Sequence, residues 1–191
     1  HDQLNITPGF SISYPYPGRL LATEPIRIKL EYVSWPYSSS DPIGVGLKSA
    51  TSAIIQLTSK ILKVNQSQNR FIDSRCIDIT IPSSDINILL DYDLSIYATA
   101  ASGGTAYYAN AGACLFKSVA PKRPVAGRIS YNTDQVATDV VSMSGFQLTT
   151  RVAFHELMHI LGFSNNLYSY WTSYTTVTSG GRTFITTPKI V

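Results

Sequence analysis

QLTTRVAFHELMHILG, residues 147–162, reads as a single helix stopped by a glycine, with Gly162 as its C-cap. Within it stand His155, Glu156 and His159. Residues four apart on a helix lie one above the other on the same face. The two imidazoles therefore point at one spot, and two neutral imidazole nitrogens a turn apart can share one tetrahedral Zn2+. Glu156 leaves the helix on a neighbouring bearing, where it can reach a zinc-bound water without ligating the metal. A carboxylate so placed suits a general base in hydrolysis. Val152, Ala153, Phe154, Leu157, Met158, Ile160 and Leu161 surround this polar trio. Two imidazoles and a carboxylate in such an apolar helix are costly unless something binds them.

The ligand set is short by one. A catalytic zinc takes three protein ligands and a water. In the compact pattern His-Glu-x-x-His-x-x-Gly-x-x-His, a glycine turns the chain so that a third histidine reaches the metal. Gly162 fills the glycine position, but Asn165 stands where the third histidine would be. Residues 163–191 contain no His, Asp, Glu or Cys. The third ligand comes from sequence beyond Val191, from upstream or from nowhere, and the motif reads as two-thirds of a zinc site.

Upstream, residues 26–33 alternate Ile26, Ile28, Leu30 and Tyr32 against Arg27, Lys29 and Glu31, a half-buried strand. Residues 34–44 form a Pro/Ser loop. Residues 45–64 set Leu47, Ile54, Leu57, Ile61 and Val64 on one helical stripe. Strands are predicted over 76–82, 92–99 and 125–131. A short edge strand falls within the small and aromatic stretch 105–116, and a hairpin spans 169–187 across Gly180-Gly181. Residues 1–24, rich in Pro and Gly, read as an extended or turn-rich entry. Strand, long helix, several strands and a second helix make an α+β layout. No repeat or linker divides the 191 residues, so they read as a single domain.

Charged residues make up 14% of the chain, well below the usual quarter, and the net charge is only +3. The basic residues are scattered, which argues against nucleic acid as a partner. No apolar run reaches the roughly 20 residues of a membrane helix. Cys76 and Cys114 are compatible with a disulfide, two free thiols or half of a metal site. The sequons at Asn5 and Asn65 are no more than composition alone predicts.

Several stretches together resemble the leishmanolysin (invadolysin-like) family of metzincin zinc metallopeptidases. These are RVAFHELMHILGFS (151–164), RPVAGRISYN (123–132), residues 93–100 with 104–114, and TPKIV (187–191). The opening His1-Asp2 resembles the end of that family's cysteine-switch motif. The resemblance implies a metzincin-like catalytic domain: a twisted mixed sheet with a long N-terminal helix and an active-site helix carrying the His-Glu-x-x-His motif. It implies His155 and His159 as Zn2+ ligands, Glu156 as catalytic base and a Cys76–Cys114 disulfide. It also implies an extracellular or cell-surface setting, membrane association through parts outside this chain, and a propeptide inhibitor. In the family the third histidine follows a long insertion, so residues 1–191 are expected to be the N-terminal part of the catalytic domain. Edge-strand addition is a common way to hold a peptide, and the family analogy places Ala109 and Ala111 on the strand that pairs with substrate. The expected activity is zinc-dependent endopeptidase action on peptides or proteins. The competing expectation is a catalytically incomplete leishmanolysin-like module serving as a cell-surface adhesion or structural protein. The aromatic cluster Tyr168, Tyr170, Trp171 and Tyr174 reads as packing over the domain or as cleft lining.

Overall fold

A computed structural model of the chain describes residues 9–15, 23–105, 107–118, 122–136, 140, 142–164, 167, 176–179 and 182–185. In chain order the elements are β1 (Gly9–Pro15), β2 (Glu24–Pro25), β3 (Ile28–Tyr32), α1 (Pro42–Ile61), β4 (Lys63–Val64), β5 (Ser67–Phe71), β6 (Arg75–Cys76) and β7 (Ile79–Thr80). There follow β8 (Leu94–Ala101), β9 (Ala109–Lys117), β10 (Pro124–Asn132), α2 (Met143–Ile160), β11 (Thr176–Ser179) and β12 (Arg182–Ile185). His1, Asn5, Ala106, Asn165, the aromatic cluster and residues 187–191 lie outside the described residues.

The main sheet has six strands in the order β3-β8-β10-β9-β1-β5. β3, β8 and β10 run parallel, β9 runs antiparallel to β10, β1 is parallel to β9, and β5 is antiparallel to β1. The sheet is therefore mixed and the fold α+β, as the alternation of elements implied. β8 is buried along nearly its whole length, as befits a strand with parallel partners on both sides and both faces covered.

α1 and α2 pack against each other and over one face. Between them and the sheet lies the larger core, including Leu47, Ile54, Ile96, Ile129, Tyr131, Ala153, Leu157 and Ile160. The opposite face carries a second core of Phe71, Cys76, Ile81, Tyr97, Cys114 and Leu115. The Cys76–Cys114 disulfide crosses it with a Cα–Cα distance of 5.1 Å.

Several elements differ from the sequence reading. α1 begins at Pro42, where Asp41 caps it by accepting from the amides of Ile43 and Gly44 at 2.9 and 3.2 Å. Its buried face is Leu47, Ala50, Thr51, Ile54, Ile55 and Thr58, while Leu57 and Ile61 are 49% and 67% exposed. Leu57 falls just outside the buried arc, and Ile61 is the helix's last residue. The strand expected over 76–82 is instead the tight β6–β7 hairpin, with Ile77 at its turn (φ 61°). The alternation of isoleucines there reflects alternate burial around a turn. The entry segment contributes β1, and β5 went unpredicted because SQNRF is polar although Ser67, Asn69 and Phe71 are buried. α2 starts at Met143, four residues before the predicted 147, with Ser142 accepting from the Gly145 amide at 3.1 Å. The predicted late hairpin is β11 paired antiparallel with β12.

Candidate metal centre and active site

The C-terminal half of α2 carries His155, Glu156 and His159, and its seating is fixed by close packing on the sheet. At Gly127 of β10, an added Cβ would lie 2.4 Å from Ile160 Cγ2 and 2.9 Å from the Gly112 carbonyl. Only a glycine lets the helix come this near. At the other end, Tyr108 and Thr149 share a hydrogen bond of 3.1 Å between their hydroxyls, tying the start of β9 to the helix.

The helix ends in a Schellman motif. Phe163 N–H donates to the Met158 carbonyl at 3.0 Å, and Gly162 N–H to that of His159 at 3.2 Å, with Gly162 at φ 106°. This turn brings the Phe163 carbonyl to 3.3 Å and the Ser164 hydroxyl to 3.0 Å from His159 Nδ1. In the tautomer that donates from Nδ1 to the Phe163 carbonyl, Nε2 keeps its lone pair for a metal. Such a partner on the remote ring nitrogen is the usual outer support of a metal-binding histidine.

His155 Nε2 and His159 Nε2 lie 3.1 Å apart, and the rings meet edge to face with centroids 4.7 Å apart. Two nitrogens at 2.0–2.1 Å from one tetrahedral zinc are about 3.3 Å apart. The pair therefore fits Zn2+ with little adjustment. His155 is exposed, whereas Glu156 between them is only 7% exposed. Among the described residues no hydrogen-bond donor reaches the Glu156 carboxylate. Burial pushes its pKa up to about 7, with the Arg128 guanidinium pulling the other way. A carboxyl titrating near neutrality is matched to proton transfer at working pH. No group of three or more His, Cys, Asp or Glu forms a metal cluster among the described residues.

β9 flanks this helix. Along β10 it pairs from end to end, but its other edge meets β1 only at Leu115, Phe116 and Lys117. Among the described residues the outer edge of 109–113 has no strand partner. It is therefore an edge strand over its first half and an interior strand over its second. Ala109 is buried and Ala111 half-buried, both in the helix-side core. Leu167 packs on Ala113 and Phe116 of the same strand.

Sequence reasoning did not single out Arg128, which is 3% exposed on β10. Its one local signal is a charge within the otherwise uncharged run PVAGRISYN.

A mixed α+β scaffold that brings two histidines and a buried glutamate together on one helix defines a metallopeptidase-like site. The family model for leishmanolysin matches residues 45–189. The chain belongs to the leishmanolysin family, a family of metallopeptidases. No curated protein matches it.

Proposed function

We propose that the chain hydrolyses peptide bonds with Zn2+ held by His155 and His159 and with Glu156 as general base. The observation that carries this reading is the pair of Nε2 atoms 3.1 Å apart beside a buried glutamate that meets no hydrogen-bond donor among the described residues. When bound, Zn2+ supplies Lewis-acid polarisation of the scissile carbonyl and lowers the pKa of a coordinated water. Glu156 would take a proton from the water whose oxygen bonds to the scissile carbonyl carbon, and would return it to the amine nitrogen as the C–N bond breaks. His159 is held for its task by Phe163 and Ser164. The edge of 109–113, without a strand partner among the described residues, receives an extended peptide as an added strand, beside Ala109 and Ala111. Residues 163–191 hold no His, Asp, Glu or Cys to serve as the third protein ligand. The Cys76–Cys114 disulfide supports an extracellular or cell-surface setting, since such bonds persist in oxidising compartments.

The test is cleavage of labelled casein by zinc-loaded full chain against Glu156→Gln. Zinc content measured by mass spectrometry should match in the two proteins. Cleavage should fall by about 10²–10⁴-fold in the variant. A zinc-loaded wild type that cleaves nothing, or a variant that cleaves as fast, ends the reading.

A further inference from the structure

The face of β9 turned away from the helices is braced at two points along its open stretch. Asn110, Gly112 and Cys114 alternate onto that face. Arg128 lies opposite Gly112 in the ladder and donates from Nη1 to Asn110 Oδ1, one step up the same face. Its Nη2 donates to Asp78 Oδ2 at 3.1 Å. Asp78 sits in the turn of the β6–β7 hairpin, and Cys76 of that hairpin is bonded to Cys114. One hairpin thus grips β9 twice, covalently at Cys114 and through the Arg128 fork at Asn110. Between the grips lie residues 111–113, whose outer edge has no strand partner among the described residues.

A guanidinium that is 3% exposed on a strand is costly to bury. One tied to a carboxylate 65% exposed brings no large return in stability. What the arrangement does supply is stiffness, in a stretch of strand with a partner on one side only among the described residues. Adding a strand to an edge requires its amides and carbonyls to stand in a flat, regular row. Any disorder there must be removed on binding, at a cost in affinity.

We propose that Arg128 is a positioning residue for substrate: bridging Asn110 and Asp78, it holds the 109–113 edge in the geometry that a peptide strand pairs with. This rests on the reading of that edge as the peptide-accepting strand. Arg128 makes its hydrogen bonds to Asn110 and Asp78, away from His155 and His159. Loss of that fork with the positive charge kept should weaken substrate and transition-state binding alike, which raises KM and leaves kcat unchanged.

Two variants of the zinc-loaded full chain test this: Arg128→Lys, which keeps the positive charge near Glu156 but cannot fork between two partners, and Asp78→Ala. Asp78 is a surface residue, so the second variant keeps the test open if the change at Arg128 prevents folding. The probe is a quenched-fluorescent peptide copied from the fastest casein cleavage site. The expected result is a rise in KM of about tenfold with kcat within about twofold. Amide exchange over 109–113 should quicken while β8 stays protected. If wild type cleaves the probe and all folded variants match it in KM, the positioning role is overturned and the hydrolytic reading stands. A fall in kcat without a change in KM also overturns it. A wild type that cleaves nothing removes the hydrolytic reading and this role together.

Discussion

Two buried carboxylates sit in very different surroundings. Asp93, fully buried at the foot of three parallel strands, accepts from the Arg27 amide at 3.0 Å, Arg27 Nε at 3.0 Å, the Ser67 amide at 3.0 Å and Arg123 Nη2 at 3.4 Å. Glu156, nearly as buried, accepts from none of the described residues. Asp93 joins the ends of β3, β5, β8 and β10, and every donor it meets comes from the scaffold. Glu156 is left open beside two histidines, and its charged form is opposed by its surroundings. A buried carboxylate with all its oxygens engaged contributes to the fold. One kept free of donors is a cost that the fold bears and that a ligand or reaction must justify.

The sharpest way to break this contrast is to remove Asp93. Asp93→Ala leaves Arg27 and Arg123 without their shared acceptor, with side chains only 25% and 21% exposed. Removing one partner of a buried ion pair costs about 3–5 kcal/mol. Urea unfolding of the metal-free protein should show a loss of that order. A loss below about 1 kcal/mol would rank the cluster with ordinary surface pairs.

Glu156→Gln should act in the opposite direction, and only at higher pH. The carboxyl titrates near 4.5 when unfolded and at about 7 when folded. Between these values the folded protein holds a proton that the unfolded chain has released. Stability of the metal-free wild type therefore falls as pH rises through that window. Glutamine has no such dependence. The variant should match wild type near pH 4.5 and exceed it at pH 8 by up to about 3 kcal/mol. Thermal unfolding in chelator at both pH values checks this. Equal stabilities at pH 8 would show that Glu156 is not desolvated in solution.

The two sites were not equally legible in the sequence. His155, Glu156 and His159 lie within five residues, and helical periodicity alone places them together. The apolar neighbours Leu157 and Ile160 also announce that the helix is buried. Asp93 draws its donors from Arg27, Ser67 and Arg123, which are 66, 26 and 30 residues away. No local pattern marks such a network, and the same blindness concealed β5. Its polar residues are buried because distant groups satisfy them: Asn69 Nδ2 donates to the Tyr92 carbonyl at 2.5 Å. Arg128 escaped notice for the same reason, since Asp78 reaches it from 50 residues away. β8 and β10 were recognised, β8 two residues out at each end and β10 one, because a short run of apolar and strand-forming residues is a local signal.

The smallest effect concerns what orients the open site. Ser164 and the Phe163 carbonyl reach His159 Nδ1 only because Gly162 turns the chain at φ 106°. Alanine at 162 is strained there and should cost about 1 kcal/mol in stability. Ser164→Ala keeps the turn and removes one hydrogen bond from a half-buried hydroxyl, so its stability should stay within about 0.5 kcal/mol of wild type. Loss of a partner on the remote nitrogen of a metal-binding histidine typically lowers metal affinity by about 10–100-fold. Here the Phe163 carbonyl remains as a second acceptor, which places Ser164→Ala near the lower figure. Competition with a zinc chelator of known affinity reads this directly. A variant that binds zinc as tightly as wild type would mean that the carbonyl alone fixes the His159 tautomer. An unchanged affinity in Gly162→Ala as well would mean that the ring is oriented by packing on α2, with neither hydrogen bond needed.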